Sequence, residues 1–451
     1  MPIEIKYIGT QQRWPELATT GKQSVWMPGQ IEERDDVETG KLLATGLFKP
    51  EPVALTVTTP DQGVGNRWDV PGISAAGHVV FSALPILVNH LPATGNTYSR
   101  SAYPALAQRL GRVANGLSTF VARTSAADNS WVSVCWSPEL SLFVAVANSG
   151  TGNRVMTSPD GVNWTSRTSA ADNSWFSVCW SPELSLFVAV AISGTGNRVM
   201  TSPDGVNWTS RTSAADNSWF SVCWSPELSL FVAVAISGTG NRVMTSPDGV
   251  NWTSRTSAAD NSWLSVCWSP ELSLFVAVAN SGTGNRVMTS PDGITWTSRT
   301  SASDNDWRRV CWSPELSLFA AVAATGTGNR VMTSPDGINW TSRTSAADNG
   351  WRTVHWAPSL RLFAAFATSG TGNRVMTSPD GINWTSRTSA ADNFWVGSCW
   401  SPELCMFVAV AYSGAGNRVM TAYGCTYNPI TDFAVPKITP PAGCYAHILA
   451  G

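Results

Sequence analysis

The chain is patterned in short apolar runs separated by small polar turns. "WVSVCWS" from Trp131, "LFVAVA" from Leu142, "RVMTS" from Arg154 and "WTSRTS" from Trp164 are rich in Val, Phe, Trp and Thr. Pro, Gly, Asn and Asp punctuate them, and no run carries a helical stripe, so each predicts a strand. The group of four then returns. Its first Trp recurs at Trp131, Trp175, Trp219, Trp263, Trp307, Trp351 and Trp395, a period of 44 without a slip. A second Trp follows five residues after each, from Trp136 to Trp400, and a third closes six "SPDG" turns, from Trp164 to Trp384. Four strands per 44 residues, repeated seven times, predict an all-β fold, a seven-bladed β-propeller over residues 116–421. Parallel β-helices need shorter turns, and helical repeats need helices.

The phase of the repeat also predicts how the ring closes. The seventh unit has Asn428 where the third Trp belongs, and one period before Trp164 stands Phe120, in "STFVARTS". Residues 118–124 are therefore expected to complete the blade of residues 395–421. A ring closed by both ends of the repeat leaves no open sheet edge.

Composition sharpens this picture. The chain has 23 Trp among 451 residues, and the repeat accounts for 20 of them, so the core is expected to be aromatic. Charged residues are 13% and the net charge is -2, which argues against nucleic acid as a partner. No signal-peptide pattern and no apolar run long enough to span a membrane is seen, so no membrane insertion is expected. Six of nine Cys fall at one repeat position, Cys135, Cys179, Cys223, Cys267, Cys311 and Cys399. Equivalent ring positions lie too far apart for disulfides, so these read as buried thiols in a reducing cytoplasm.

Outside the repeat, residues 1–115 predict a small α+β anchor domain, with a strand at "IEIKYIG" and a short helix at "RDDVETGKLLATG". Residues 422–451 read as a Pro-rich linker or a strand that docks elsewhere. "SPDGVNW", Ser158 to Trp164, resembles a shortened Asp-box of sialidase-like and related propellers. Asp160, Asp204, Asp248, Asp292, Asp336 and Asp380 carry that match. The resemblance implies turn-holding aspartates rather than catalytic ones. "TYSRSAYPALAQRLG", Thr97 to Gly111, resembles the signature of tailed-bacteriophage tail-collar and tail-fibre proteins, without the Gly-rich loop that usually follows. It implies a virion structural protein, a fibre or decoration assembled in the host cytoplasm, anchored to other virion proteins through residues 1–115. The propeller would be displayed to a host-surface glycan or receptor, in a homo-oligomer such as a trimer. The residues alone also fit an unrelated α+β domain fused to a propeller.

Candidate chemistry is sparse. The Arg after "GN", from Arg154 to Arg418, the Arg of "SRT", from Arg123 to Arg387, and the Glu of "SPEL" all recur symmetrically. A set repeated in every blade reads as structural, whereas catalysis needs unlike pKa values in one pocket. The Arg after "GN" are expected to pair with the Asp of "AADN", such as Asp128. His355, which replaces the repeated Cys, reads as a core or channel histidine. No catalytic residue, metal or cofactor is predicted; the alternative is a propeller hydrolase or lyase acting on surface polysaccharide. Differences among the copies concentrate beside the first Trp and after the second strand. Both places should lie on the face opposite the Asp-box turns, which makes Arg308, Arg309, Arg352, Phe394 and Tyr412 the candidate ligand contacts.

Overall fold

A computed structural model of the chain describes residues 116–424 throughout, together with the backbone of short strands on either side. The chain divides into two compact units, one of residues 111–434 and one of residues 1–110 with 435–451. In the second, Ile3–Tyr7 is an antiparallel strand between Ile31–Arg34 and Phe48–Pro50. Tyr445–Leu449 lies between Val79–Ser82 and His90–Pro92, so the end of the Pro-rich segment is a docked strand. The helix expected at residues 34–46 lies outside the described residues except for Arg34, which ends the strand Ile31–Arg34, and most of the collar-like motif, residues 100–111, lies outside them too.

The first unit is a seven-bladed propeller, each blade a four-stranded antiparallel meander. Blade 1 consists of Trp131–Ser137, Leu142–Ala147, Val155–Ser158 and Thr165–Arg167. Blade 7 consists of Trp395–Ser401, Met406–Ala411 and Val419–Tyr423, and takes its fourth strand, Val121–Arg123, from the start of the repeat. The closing register is Val419 with Arg123, Met420 with Ala122 and Thr421 with Val121. Phe120 precedes that strand as Trp164 precedes its own. It is buried, but its ring meets Phe366 of blade 6 edge-on at 5.5 Å, whereas Trp164 packs on Phe143 of its own blade. Both ends of the ring leave on the face that carries the Asp-box turns, because a fourth strand begins there and a third strand ends there. Among the described residues the only helix is the 3-10 turn Pro358–Leu360.

Each of the three Trp positions has its own function in the architecture. The first, such as Trp131, is fully buried and donates its indole N–H to the Ala127 carbonyl at 2.9 Å. The third, Trp164, donates to the Gly161 carbonyl inside its own turn. The second reaches across to the preceding blade: Trp180 donates to Oε2 of Glu139 at 2.7 Å, and Trp136 to Glu403, which carries the pattern over the closure. The "SPEL" glutamates are thus latches between blades. Blade 6 has Ser359 in place of the Glu, and the Trp400 N–H, which that Glu would serve, has no hydrogen-bond partner among the described residues.

The Asp-box turns are held as the residue types require. Asp204 Oδ1 accepts from the Val206 and Asn207 amides at 2.8 Å, and its Oδ2 from the Asn207 side chain. Burial alone would raise the Asp204 pKa, but the bonds from Asn207, Val206 and Ser202 outweigh it and hold the carboxyl at about 2. Gly205 adopts φ +72°, and a Cβ there would come within 2.9 Å of Leu142 and Val144 of the preceding blade. The arginines after "GN" also bind locally. Arg154 donates to the Gly150 and Asn148 carbonyls and pairs with Asp172 at 3.6 Å, as Arg418 pairs with Asp128. The arginines of "SRT" bond the third strand, as Arg167 does with the Thr157 hydroxyl at 2.9 Å.

Candidate functional site

The seven first strands line the central channel. Alternation along a strand would send neighbouring residues to opposite faces. Each first strand instead carries a bulge just after its first Trp, between Trp307 and Arg309 in blade 5. A bulge breaks the alternation and re-aims side chains. Residues at both positions, Arg308 and Arg309 among them, therefore line one cavity of about 50 Å³ at the channel mouth. That mouth opens on the face away from the Asp-box turns. Below it a wider space of about 560 Å³ is ringed by the repeated cysteines, His355 and the second Trp of the blades.

The mouth does not share the symmetry of the ring. Blades 1–4 contribute Val132, Phe176, Phe220 and Leu264, with the rings of Phe176 and Phe220 4.7 Å apart. Blades 5 and 6 contribute Arg308, Arg309 and Arg352, and the loop after the second strand of blade 7 contributes Tyr412. One arc is apolar and the opposite arc is cationic.

The cationic arc is short of counter-charge. Arg308 has one long contact, Nη2 to Asp306 Oδ2 at 3.4 Å, and Asp306 also faces Arg286 at 3.6 Å. Nε of Arg308 and Nε of Arg352 are buried with no hydrogen-bond partner among the described residues. Arg309 reaches between the mouth and the lower channel, where thiols rather than carboxylates surround it. Burial, then the neighbouring Arg352 charge, lowers the Arg308 pKa to about 10. Burial likewise lowers that of Arg309. Burial pushes the Tyr412 hydroxyl up to about 12, with Arg352 and Arg308 pulling the other way. Deeper in, burial and then the Arg309 charge hold His355 at about 4, so the imidazole is neutral near pH 7. Burial also raises the thiols, Cys267 to about 12, so they are protonated there too. The six repeated cysteines are disulfide-free, and most are wetted by the channel rather than wholly buried as their repeat position had implied.

Four of the five predicted contacts, Arg308, Arg309, Arg352 and Tyr412, meet at this mouth. Phe394 does not line it: the ring is 47% exposed and lies under the Arg374 guanidinium, 5.7 Å from its centroid. Sequence reasoning passed over the apolar arc, although Phe176 and Phe220 stand in the same variable column as Arg308 and Arg352. The six predicted Asp-box aspartates are all in turns on the opposite face and are occupied by backbone amides.

No protein-family model and no curated protein matches the sequence. Among solved structures, the chain is similar to the β-propeller domain of Myceliophteria thermophila Cps50 (Swd1). The TM-score is 0.50 at 10% identity, and the match covers 70% of this chain and all of that one. At that identity the likeness speaks for the propeller fold alone.

Proposed function

We propose that the chain is a structural protein of a tailed-phage virion that displays its propeller for attachment to a host-surface glycan or receptor. The virion part rests on the collar-like resemblance of residues 97–111, and the observation that supports attachment is the asymmetric channel mouth. Side-chain bonds repeat from blade to blade around the ring, yet divergent positions of several blades come together in a half-apolar, half-cationic cavity. Aromatic and Arg side chains suit recognition because they bury much area with few rotors. Among the described residues no carboxylate lines this mouth, which favours binding over glycosidic hydrolysis, a reaction that uses a pair of them. Residues 1–115, with the collar-like motif at 97–111, would be the anchor. The ring's two ends leave on the Asp-box face, opposite the mouth.

The test uses the labelled full chain on host cells and on a glycan array with product analysis. Tyr412→Ala combined with Arg352→Leu is expected to abolish binding, while Asn251→Ala on the Asp-box face leaves it intact. Equal loss from both faces would refute the assignment of the mouth, and released saccharide products would favour the polysaccharide hydrolase or lyase.

A further inference from the structure

Resting on the reading of the mouth as a recognition site, we propose that its cationic arc is an oxyanion subsite that takes a carboxylate or phosphate group carried on a saccharide. Three guanidinium groups converge from two adjacent blades, and the one carboxylate paired with them among the described residues, Asp306, is shared with Arg286. Buried Nε–H donors on Arg308 and Arg352 have no acceptor among the described residues. A buried donor left unpaired is costly, more so on a charged group, so these guanidinium groups lack acceptors of their own and can take one from outside the chain where the residues line the cavity. An arginine fork matches the geometry of carboxylate and phosphate oxygens, which a single ammonium would not.

Size and shape narrow the class further. The cavity of about 50 Å³ holds a compact head group and not a whole sugar ring, since pockets for whole ligands run to roughly 300–1,000 Å³. The rest of the ligand must therefore lie across the mouth. There it meets Phe176 and Phe220, flat apolar surfaces that suit the C–H face of a sugar. An anionic group at one end and a partly apolar ring beside it is the chemistry of an acidic saccharide residue. The Tyr412 hydroxyl, kept protonated at neutral pH, adds a neutral donor at the rim.

The repeat itself supplies the replacement residues. Arg308→Leu and Arg352→Leu install the residue that Leu264 supplies in blade 4, and Arg309→Ser installs that of Ser133, Ser177, Ser221 and Ser265. Calorimetry on the full chain would compare methyl glucuronide and glucose 6-phosphate with methyl glucoside, at low and moderate salt. We expect one or both anionic probes to bind and the neutral one to bind at least about tenfold more weakly. The triple variant should lose that preference without losing its unfolding transition; should it fail to fold, Arg309→Ser alone is read. The ratio of the two anionic arms tells carboxylate from phosphate. Equal affinity for all three probes, or anion binding unchanged in a folded variant, overturns the proposal. Host-cell attachment that survives in the triple variant would sink the anion subsite and leave the display reading standing. Anion-selective binding with no attachment to cells would do the reverse.

Discussion

Ser359→Glu should stabilise the protein, because one of seven latches between blades lacks its acceptor. Six of the second Trp residues donate to a Glu of the preceding blade at 2.6–2.7 Å. Trp400 is 5% exposed and its indole N–H has no partner among the described residues, while the position 41 residues before it, Ser359, is too short to reach. A buried N–H without a partner costs about 1–3 kcal/mol. The new glutamate sits at the surface, so screening and loss of rotamer freedom offset some of that. A net gain of about 1 kcal/mol remains. With an unfolding entropy of about 2.1 cal/mol/K per residue over roughly 300 residues, the melting temperature should rise by roughly 2 °C. Calorimetry and urea unfolding would measure it, and Trp400→Phe supplies the control because it deletes the N–H. If Ser359→Glu gives no gain, or the same gain in the Trp400→Phe background, the latch is not what the glutamates provide.

Two further outcomes follow from single departures from the repeat. Gly397→Ser restores the residue of four other blades yet should destabilise by about 1–3 kcal/mol, the usual cost of overpacking. A Cβ there would lie 2.5 Å from the Val132 carbonyl oxygen and 2.9 Å from the Ser133 Cα, both backbone atoms of blade 1; unchanged urea stability would contradict this. His355 titrates at about 4 in the fold against 6.5 unfolded, so the unfolded chain takes up a proton first. Its contribution is complete above about pH 6.5 and is lost as pH falls toward 4. Stability of the His355→Cys variant should be flatter over that window, and identical pH profiles would count against it.

The fold was legible because it is written in spacing. The 44-residue Trp period dictated the blades, and the phase of Phe120 against Trp164 foretold which strand closes the ring. The mouth was only half legible, since divergence at Arg308, Arg352 and Tyr412 marked one face. Two things were not. The latch between Glu139 and Trp180 joins residues 41 apart on different blades, and a repeat shows that both recur without showing that they meet. Phe394 diverges like its neighbours, but the bulge that turns Arg308 and Arg309 inward leaves the residue before the first Trp outside the cavity. Strand periodicity alone does not reveal a bulge.

The clasp of blade 7 determines how the ring carries load. Ser118 donates to the Tyr423 carbonyl at 2.7 Å and Tyr423 donates back to the Ser118 hydroxyl, so the chain enters and leaves at one corner. Tension between the two flanking segments pulls across that ladder rather than along it. The rungs at Val121, Ala122 and Arg123 then open in succession, like a zip, and not all together as in shear. Blades 1–6 lie outside the force path and stay folded while the clasp yields. When both flanks are held by one support, the same corner is pinned shut, and the whole ring hangs from a single point with its blades unstressed.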